Sequence, residues 1–242
     1  MDLYTNVQFL LRWIHVIAGI AWIGHLYFFN FVNIPFQGTI GADVKKTVNP
    51  QLMPRALWWF RWGAMITFIT GWLYLLHRMF QLGGVQAFFN VPYGWLIFMG
   101  GIIGSLMWFN VWFIIWPAQQ VVMASAARVK EGGQAIPDAA ARGARGGVAS
   151  RTNTLLSIPM LFFMGAASHF AFFTPVGRPA KTTMMIVFFV ILAIVEANAV
   201  VGPATPDKAS GGKKLLATLN GTFWAGFILT AIFAIALKII FG

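Results

Sequence analysis

The sequence predicts an all-α integral membrane protein, a bundle of about six transmembrane helices forming a single membrane domain over residues 1–242. Two observations lead to this prediction. First, 59% of the residues are hydrophobic and only 10% are charged, whereas a soluble domain carries roughly 25% charged residues. Second, apolar runs of the ~20 residues that cross a bilayer recur along the whole chain. The mean hydropathy of +0.74 agrees with both.

Six segments are long and apolar enough to span the hydrocarbon core of a membrane. They cover about residues 7–34, 57–80, 93–116, 153–173, 182–201 and 215–241. Pro35 is expected to close the first helix, and Gly202-Pro203 to end the fifth, because proline lacks the amide hydrogen that continues a helix. Asn153 is placed to cap the start of the fourth helix.

Basic residues concentrate in alternate connectors and give the chain its net charge of +11. The first, third and fifth connectors hold Lys45, Lys46, Arg55, Arg128, Lys130, Arg142, Arg145, Arg151, Lys208, Lys213 and Lys214. The positive-inside rule places these connectors in the cytoplasm and both termini in the periplasm. We therefore expect a multi-pass protein of a bacterial inner membrane. The charge is explained by topology and by lipid headgroups, and no nucleic-acid partner is expected.

The third connector is long and rich in Ala, Gly and Arg. Residues 118–130 are expected to continue the third helix past the membrane, and about residues 131–150 to form a flexible basic loop at the lipid surface. The N-terminus does not resemble a cleaved signal peptide, because the first apolar run is too long. We expect the first helix to be retained.

The chain contains no cysteine. This excludes disulfides, thiolate metal ligands and covalent C-x-x-C-H haem attachment within these residues. Ionisable side chains inside a membrane are costly and are functional candidates by default. The predicted spans contain seven of them, namely Arg12, His15, His25, Arg61, His77, His169 and Glu196.

Three of the histidines fall in the periplasmic half of the bundle, on three different helices. A haem b with two axial imidazoles needs such histidines, and small residues beside them so that the macrocycle can approach the backbone. Gly19 lies four residues after His15, and Gly165 lies four residues before His169, on the same helix faces. We favour His15 and His169 as ligands of the haem iron. The substitute ligand is His77, and Arg12 is a candidate partner for a haem propionate.

The alternative for each histidine is a simple hydrogen bond to a neighbouring helix. His25 and Glu196 are expected in the cytoplasmic half, where a contact between them would form a buried structural pair, a proton path or a quinone pocket. The asparagines Asn110, Asn153 and Asn198 are expected to form interhelical hydrogen bonds.

Three stretches resemble the N-terminal membrane domain of the bacterial membrane-bound, cytochrome-c-linked urate oxidase family. The first runs from Trp13-Ile14-His15 to Gly24. The second comprises Phe109-Asn110-Val111-Trp112, Ile115-Trp116-Pro117 and Gln119. The third runs from Ser150-Arg151-Thr152-Asn153 through Pro159 to Ser168-His169. The resemblance implies that His15 and His169 are the family's membrane histidines, and that Asn110, Asn153 and Ser157 line or brace the same site.

Members of that family commonly carry a periplasmic cytochrome c domain, and these 242 residues contain no C-x-x-C-H. We therefore expect a separate cytochrome c or another membrane complex as partner. The leading hypothesis is a membrane electron-transfer subunit with haem b, an oxidoreductase only together with such a cytochrome. The alternatives are a haem-free accessory subunit of a respiratory or photosynthetic complex, and a small transporter.

Overall fold

The computed structural model describes residues 3–175, 177–204 and 211–242, which form helices and contain no strand. The predicted all-α class is confirmed. Lys208 of the fifth connector lies outside the described residues. The helices are α1 (Leu3–Thr39), α2 (Ala42–Gln81), α3 (Val85–Phe88), α4 (Pro92–Lys130), α5 (Ala139–His169), α6 (Arg178–Val200), α7 (Gly212–Leu216) and α8 (Leu219–Phe241).

Two of these helices contain a π-helical turn. The turn in α1 covers Phe28–Asn33, and the turn in α4 covers Asn110–Ile115. Pro35 was predicted to close the first helix, but α1 continues to Thr39. The proline is tolerated because it is the second residue after the π turn, in the first turn of the last helical stretch, where a missing amide hydrogen costs little. The predicted extension of the third helix over residues 118–130 is confirmed.

Four of the described helices, α1, α4, α6 and α8, are long and apolar enough to cross a membrane by length and composition. The two other predicted spans overlap α2, which is 40 residues long, and α5, which is 31 residues long. Both helices extend into polar, basic sequence. The total of six crossings and the location of the termini stay predictions.

The prediction of a flexible loop over residues 131–150 was wrong for its second half, because α5 already begins at Ala139. Alanine and arginine favour helix, and this first part of α5 packs against α4. A Cβ atom on Gly146 would lie 3.1 Å from the Cβ atom of Ala118. The early start also places Asn153 inside α5, so its predicted role as a helix cap was wrong.

Helix α5 lies at the centre of the bundle and contacts α1, α4, α6 and α8, whereas α1 packs mainly along α2. Glycines allow the closest helix crossings. A Cβ atom on Gly63 of α2 would lie 3.0 Å from the amide nitrogen of Trp22 on α1. A Cβ atom on Gly226 of α8 would lie 2.8 Å from the carbonyl oxygen of Leu155 on α5.

Several polar side chains are buried inside the bundle, and many large apolar side chains are exposed on its outside. Asn30, Asn110 and Asn153 are fully buried, while Ile20 and Ile239 are 70% and 75% exposed. A protein in water would reverse this arrangement. A lipid environment explains it, because lipid accepts apolar surfaces and leaves polar groups to find partners within the protein.

Candidate functional site

A column of polar side chains runs along the contact between α1 and α2. We call it the α1–α2 polar seam. Its members lie three or four residues apart, so that they form one stripe on each helix. They are Tyr4, Gln8, Arg12 and His15 on α1, and Thr67, Thr70, Tyr74 and His77 on α2.

His15 is the most constrained member of the seam. Its Nδ1 atom lies 2.9 Å from the carbonyl oxygen of Thr67 and 3.4 Å from Oγ1 of Thr70. A carbonyl oxygen only accepts hydrogen bonds, so Nδ1 carries the hydrogen in this contact. The neutral ring then has its lone pair at Nε2. This is the arrangement of a histidine that ligates a metal through Nε2.

Two glycines shape the surroundings of His15. A Cβ atom on Gly71 of α2 would lie 2.8 Å from Cε1 of His15, so only glycine leaves room for the imidazole there. A Cβ atom on Gly19 would lie 3.9 Å from Cγ2 of Thr67. Gly19, expected to face a macrocycle, therefore faces α2.

Arg12 already has a partner within the protein. Its guanidinium donates a short hydrogen bond to the hydroxyl of Tyr74 and lies 5.2 Å from the centre of that ring. Nε2 of Gln8 lies 3.5 Å from the same hydroxyl. A propionate contact of Arg12 stays a prediction.

His77 occupies the outer end of the seam, with its ring centre 5.5 Å from that of Tyr4. Both of its ring nitrogens are buried, and neither has a hydrogen-bond partner among the described residues. Neither nitrogen of His77 is used in a hydrogen bond, and its role as the substitute ligand stays a prediction.

His169 is the last residue of α5 and is exposed. Its Nδ1 atom lies 3.1 Å from the carbonyl oxygen of Gly165, so it carries the hydrogen and leaves Nε2 free, as in His15. A Cβ atom on Gly165 would meet nothing within 4 Å. In the described chain no hydrogen bond or ring contact joins His15 to His169. Each histidine uses Nδ1 in a hydrogen bond to a backbone carbonyl, and both the haem-ligand role and the pairing of the two on one iron stay predictions.

The second polar cluster lies between α4, α5 and α6, and we call it the Asn110 cluster. The Nδ2 atom of Asn110 donates to Oδ1 of Asn153 at 3.0 Å and to Oε2 of Glu196 at 3.1 Å. Nδ2 of Asn153 donates to the carbonyl oxygen of Met107 at 2.9 Å. The predicted interhelical bonds of Asn110 and Asn153 are confirmed. Asn110 opens the π turn of α4, a feature frequent at functional sites.

His25 and Glu196 are not brought together. Nδ1 of His25 lies 2.7 Å from the carbonyl oxygen of Ala21 on its own helix, and its side chain lines a cavity of about 490 Å³ with Arg55 and Trp59. Glu196 belongs to the Asn110 cluster. No hydrogen bond or ion pair between the two appears in the described ranges, so their predicted contact is not formed.

Sequence reasoning missed the polar contacts between α1 and α5. The hydroxyl of Tyr27 lies 2.9 Å from Oγ of Ser157, and Nδ2 of Asn30 donates to Oγ of Ser150 at 2.9 Å. An asparagine in an otherwise apolar span was the available signal for Asn30. Ser157 was expected to brace the histidine site, but its contact is with Tyr27, twelve residues after His15.

No cluster of three or more His, Asp or Glu side chains able to hold a metal ion occurs within residues 3–175, 177–204 and 211–242. A haem iron with two axial histidines does not require one, since the porphyrin supplies the other ligands. The fold, its buried polar clusters and its apolar exterior define a helical membrane protein.

Residues 84–202 match the family model described as urate oxidase N-terminal. This segment is nearly half of the chain, and over it the predicted resemblance to the urate oxidase N-terminal family is confirmed. The matched segment contains the Asn110 cluster and His169, whereas His15 and the stretch from Trp13 to Gly24 lie outside it. No curated protein and no solved structure matches the chain.

Proposed function

We propose that the chain is a urate-oxidase-like subunit of a bacterial inner membrane that binds haem b and relays electrons to a periplasmic cytochrome c. The observation that supports the proposal most directly is the hydrogen bond from Nδ1 of His15 to the carbonyl oxygen of Thr67. It fixes the ring position and leaves Nε2 as the free metal-binding atom. His169 has the same arrangement through Gly165.

The residues of this chain would hold and tune the group. His15 and His169 would hold the haem iron, with His77 as the substitute for either one. A bound haem supplies one-electron redox chemistry, and the protein contributes orientation, hydrogen bonding and exclusion of water. The carbonyl of Thr67 makes the imidazole of His15 a stronger electron donor, which lowers the reduction potential of a metal that it ligates.

The match of residues 84–202 to the urate oxidase N-terminal family model supports urate as the ultimate electron donor. No residue of the described chain is assigned to purine chemistry, so the role proposed here is the relay. Electrons would leave on the periplasmic side, where the predicted topology places His15 and His169.

A second candidate function is that of a haem-free accessory subunit of a respiratory or photosynthetic complex. It is favoured by the seam itself, because His15 and Arg12 both have partners within the α1–α2 contact. The large apolar residues exposed on α1 and α8 would then contact partner helices as well as lipid.

The relay is tested by stopped-flow mixing of the purified protein, reduced by a substoichiometric amount of dithionite, with an oxidised soluble cytochrome c. We expect the b-type absorbance to become oxidised as the c-type absorbance becomes reduced, one electron for one. His15→Ala is expected to abolish this transfer, whereas Glu131→Gln, in the exposed turn after α4, is the matched control. A wild-type protein that contains haem but does not reduce the cytochrome contradicts the relay.

A further inference from the structure

The Asn110 cluster leaves two buried oxygen atoms without a hydrogen-bond donor. They are Oδ1 of Asn110 and Oε1 of Glu196. Both belong to planar groups that are already joined, because Nδ2 of Asn110 donates to the other carboxyl oxygen, Oε2, at 3.1 Å. Asn110 is fully buried. A buried oxygen without a donor is costly, so each of these atoms needs an explanation.

The amide of Asn110 cannot supply the missing hydrogen. Its Nδ2 atom has two hydrogens, and these are used by Oε2 of Glu196 and by Oδ1 of Asn153 at 3.0 Å. Flipping the amide of Asn110 would place its oxygen against Oδ1 of Asn153 and Oε2 of Glu196. Both of these atoms are acceptors, so both hydrogen bonds would be lost. The amide of Asn153 is held in turn, because its Nδ2 donates to the carbonyl oxygen of Met107. The orientation of Asn110 is thus fixed by its partners.

Charged side chains of α5 and α7 do not neutralise Glu196. No Lys, Arg or His nitrogen lies within 4 Å of its carboxyl oxygens in the described part of the chain. Arg145 of α5 donates to the carbonyl oxygens of Ala199 and Gly202, and Lys213 of α7 donates to that of Val201. Arg151 lies two residues before Asn153 in α5, hence on the opposite side of that helix.

We propose that Glu196 binds a proton within the bundle and that this proton bridges Oε1 of Glu196 to Oδ1 of Asn110. The two side chains then form a neutral carboxylic acid–amide pair with two parallel hydrogen bonds. One bond is N–H to Oε2, and the other is O–H to Oδ1. This single proton satisfies both orphaned oxygens and removes an uncompensated charge from the membrane.

The ligand of this site is the proton, and the site is independent of haem. The π turn of α4 begins at Asn110, and Asn110 makes contacts to α5 and α6 at once. Protonation of Glu196 therefore stabilises the contact of α4 with α6. Loss of the proton would set a carboxylate oxygen against the oxygen of an amide that cannot turn, and would weaken this contact.

The proton is detected by infrared spectroscopy of the full-length protein in lipid films at neutral pH. We expect the wild-type spectrum to contain a protonated-carboxyl C=O band that shifts in D₂O and that is lost in Glu196→Gln. The Glu196→Gln variant should fold normally, because its amide donates to Oδ1 of Asn110 and accepts from Nδ2 in the same pattern. Glu131→Gln, in the exposed turn after α4, should retain the band.

Three results would overturn the proposal. One is that Glu196→Gln loses a carboxylate band of the wild-type spectrum and loses no protonated-carboxyl band. Another is a carboxylate signal at Glu196 that depends on added Na⁺, which would make the site a cation site. The third is a Glu196→Gln protein with a melting temperature well below that of the wild type, because the proposed hydrogen bonds are preserved in this variant.

Discussion

The Nδ1 atom of His15 lies 2.9 Å from the backbone carbonyl oxygen of Thr67, across the contact between α1 and α2. The acceptor is a main-chain atom, so its position depends on the register of the two helices and not on the side chain of Thr67. The imidazole is thereby held by the fold itself, with Nε2 as its free nitrogen.

The contact of Gly71 with His15 predicts the effect of one added methyl group. In Gly71→Ala the Cβ atom would lie 2.8 Å from Cε1 of the ring. Overpacking of this kind costs about 1–3 kcal/mol, partly offset by the ~1 kcal/mol gain in helix propensity. We expect a lower melting temperature in detergent and, in the haem-bound protein, a changed b-type spectrum.

The matched control for Gly71→Ala is Gly19→Ala on the facing helix. Its Cβ atom would lie 3.9 Å from Cγ2 of Thr67, an ordinary van der Waals contact. This variant should keep the wild-type spectrum and stability. Equal effects of the two substitutions would contradict the assigned position of the His15 ring.

A substitution at Gly165 distinguishes a haem-binding role of this helix end from a purely structural one. A Cβ atom at this position meets nothing within 4 Å, and leucine has a higher helix propensity than glycine. Gly165→Leu should therefore melt at or above the wild-type temperature. If the macrocycle lies against Gly165, the same variant should lose the b-type absorbance. Gly38→Leu, at an exposed helical position of α1 where a Cβ atom also meets nothing within 4 Å, should retain it.

Asn153 connects α5 to α4 through two hydrogen bonds. In Asn153→Ala, the carbonyl oxygen of Met107 and one hydrogen of Asn110 lose their partners. We expect a loss of about 1–3 kcal/mol in the free energy of unfolding, as is typical of buried polar groups left without a partner. Thermal unfolding in detergent measures the loss. Asn6→Ala, at an exposed position of α1, should change the melting temperature very little.

The sequence was sufficient to predict the helical membrane class and the polar residues inside it. Apolar runs report directly on the lipid environment, and a buried asparagine in such a run must find a partner, which predicted the interhelical bonds of Asn110 and Asn153. The ends of the helices were harder to predict from the sequence. The wrong start of α5 arose because a basic, glycine-containing segment resembles a loop, although its alanines favour helix and Gly146 packs on Ala118.

The partners of the predicted site residues could not be read from the sequence. His15 contacts Thr67 because of the register of α1 against α2, and Glu196 contacts Asn110 because the fold brings a side chain of α6 to the first residue of the π turn of α4. Both relationships depend on how far one helix slides along another, which no local pattern specifies. The π turns themselves have no clear sequence signal, except that each contains asparagine: Asn30 and Asn33 in α1, and Asn110 in α4.

The presence of haem is the central claim, and it is measured most directly by a dithionite-reduced-minus-oxidised visible spectrum with a pyridine haemochrome assay on protein purified from native membranes. We predict a b-type signal in the wild type that is lost in folded His15→Ala and His169→Ala proteins and retained in Gly19→Ala. A well-folded wild-type protein without haem would contradict the relay and would leave the haem-free accessory subunit as the function.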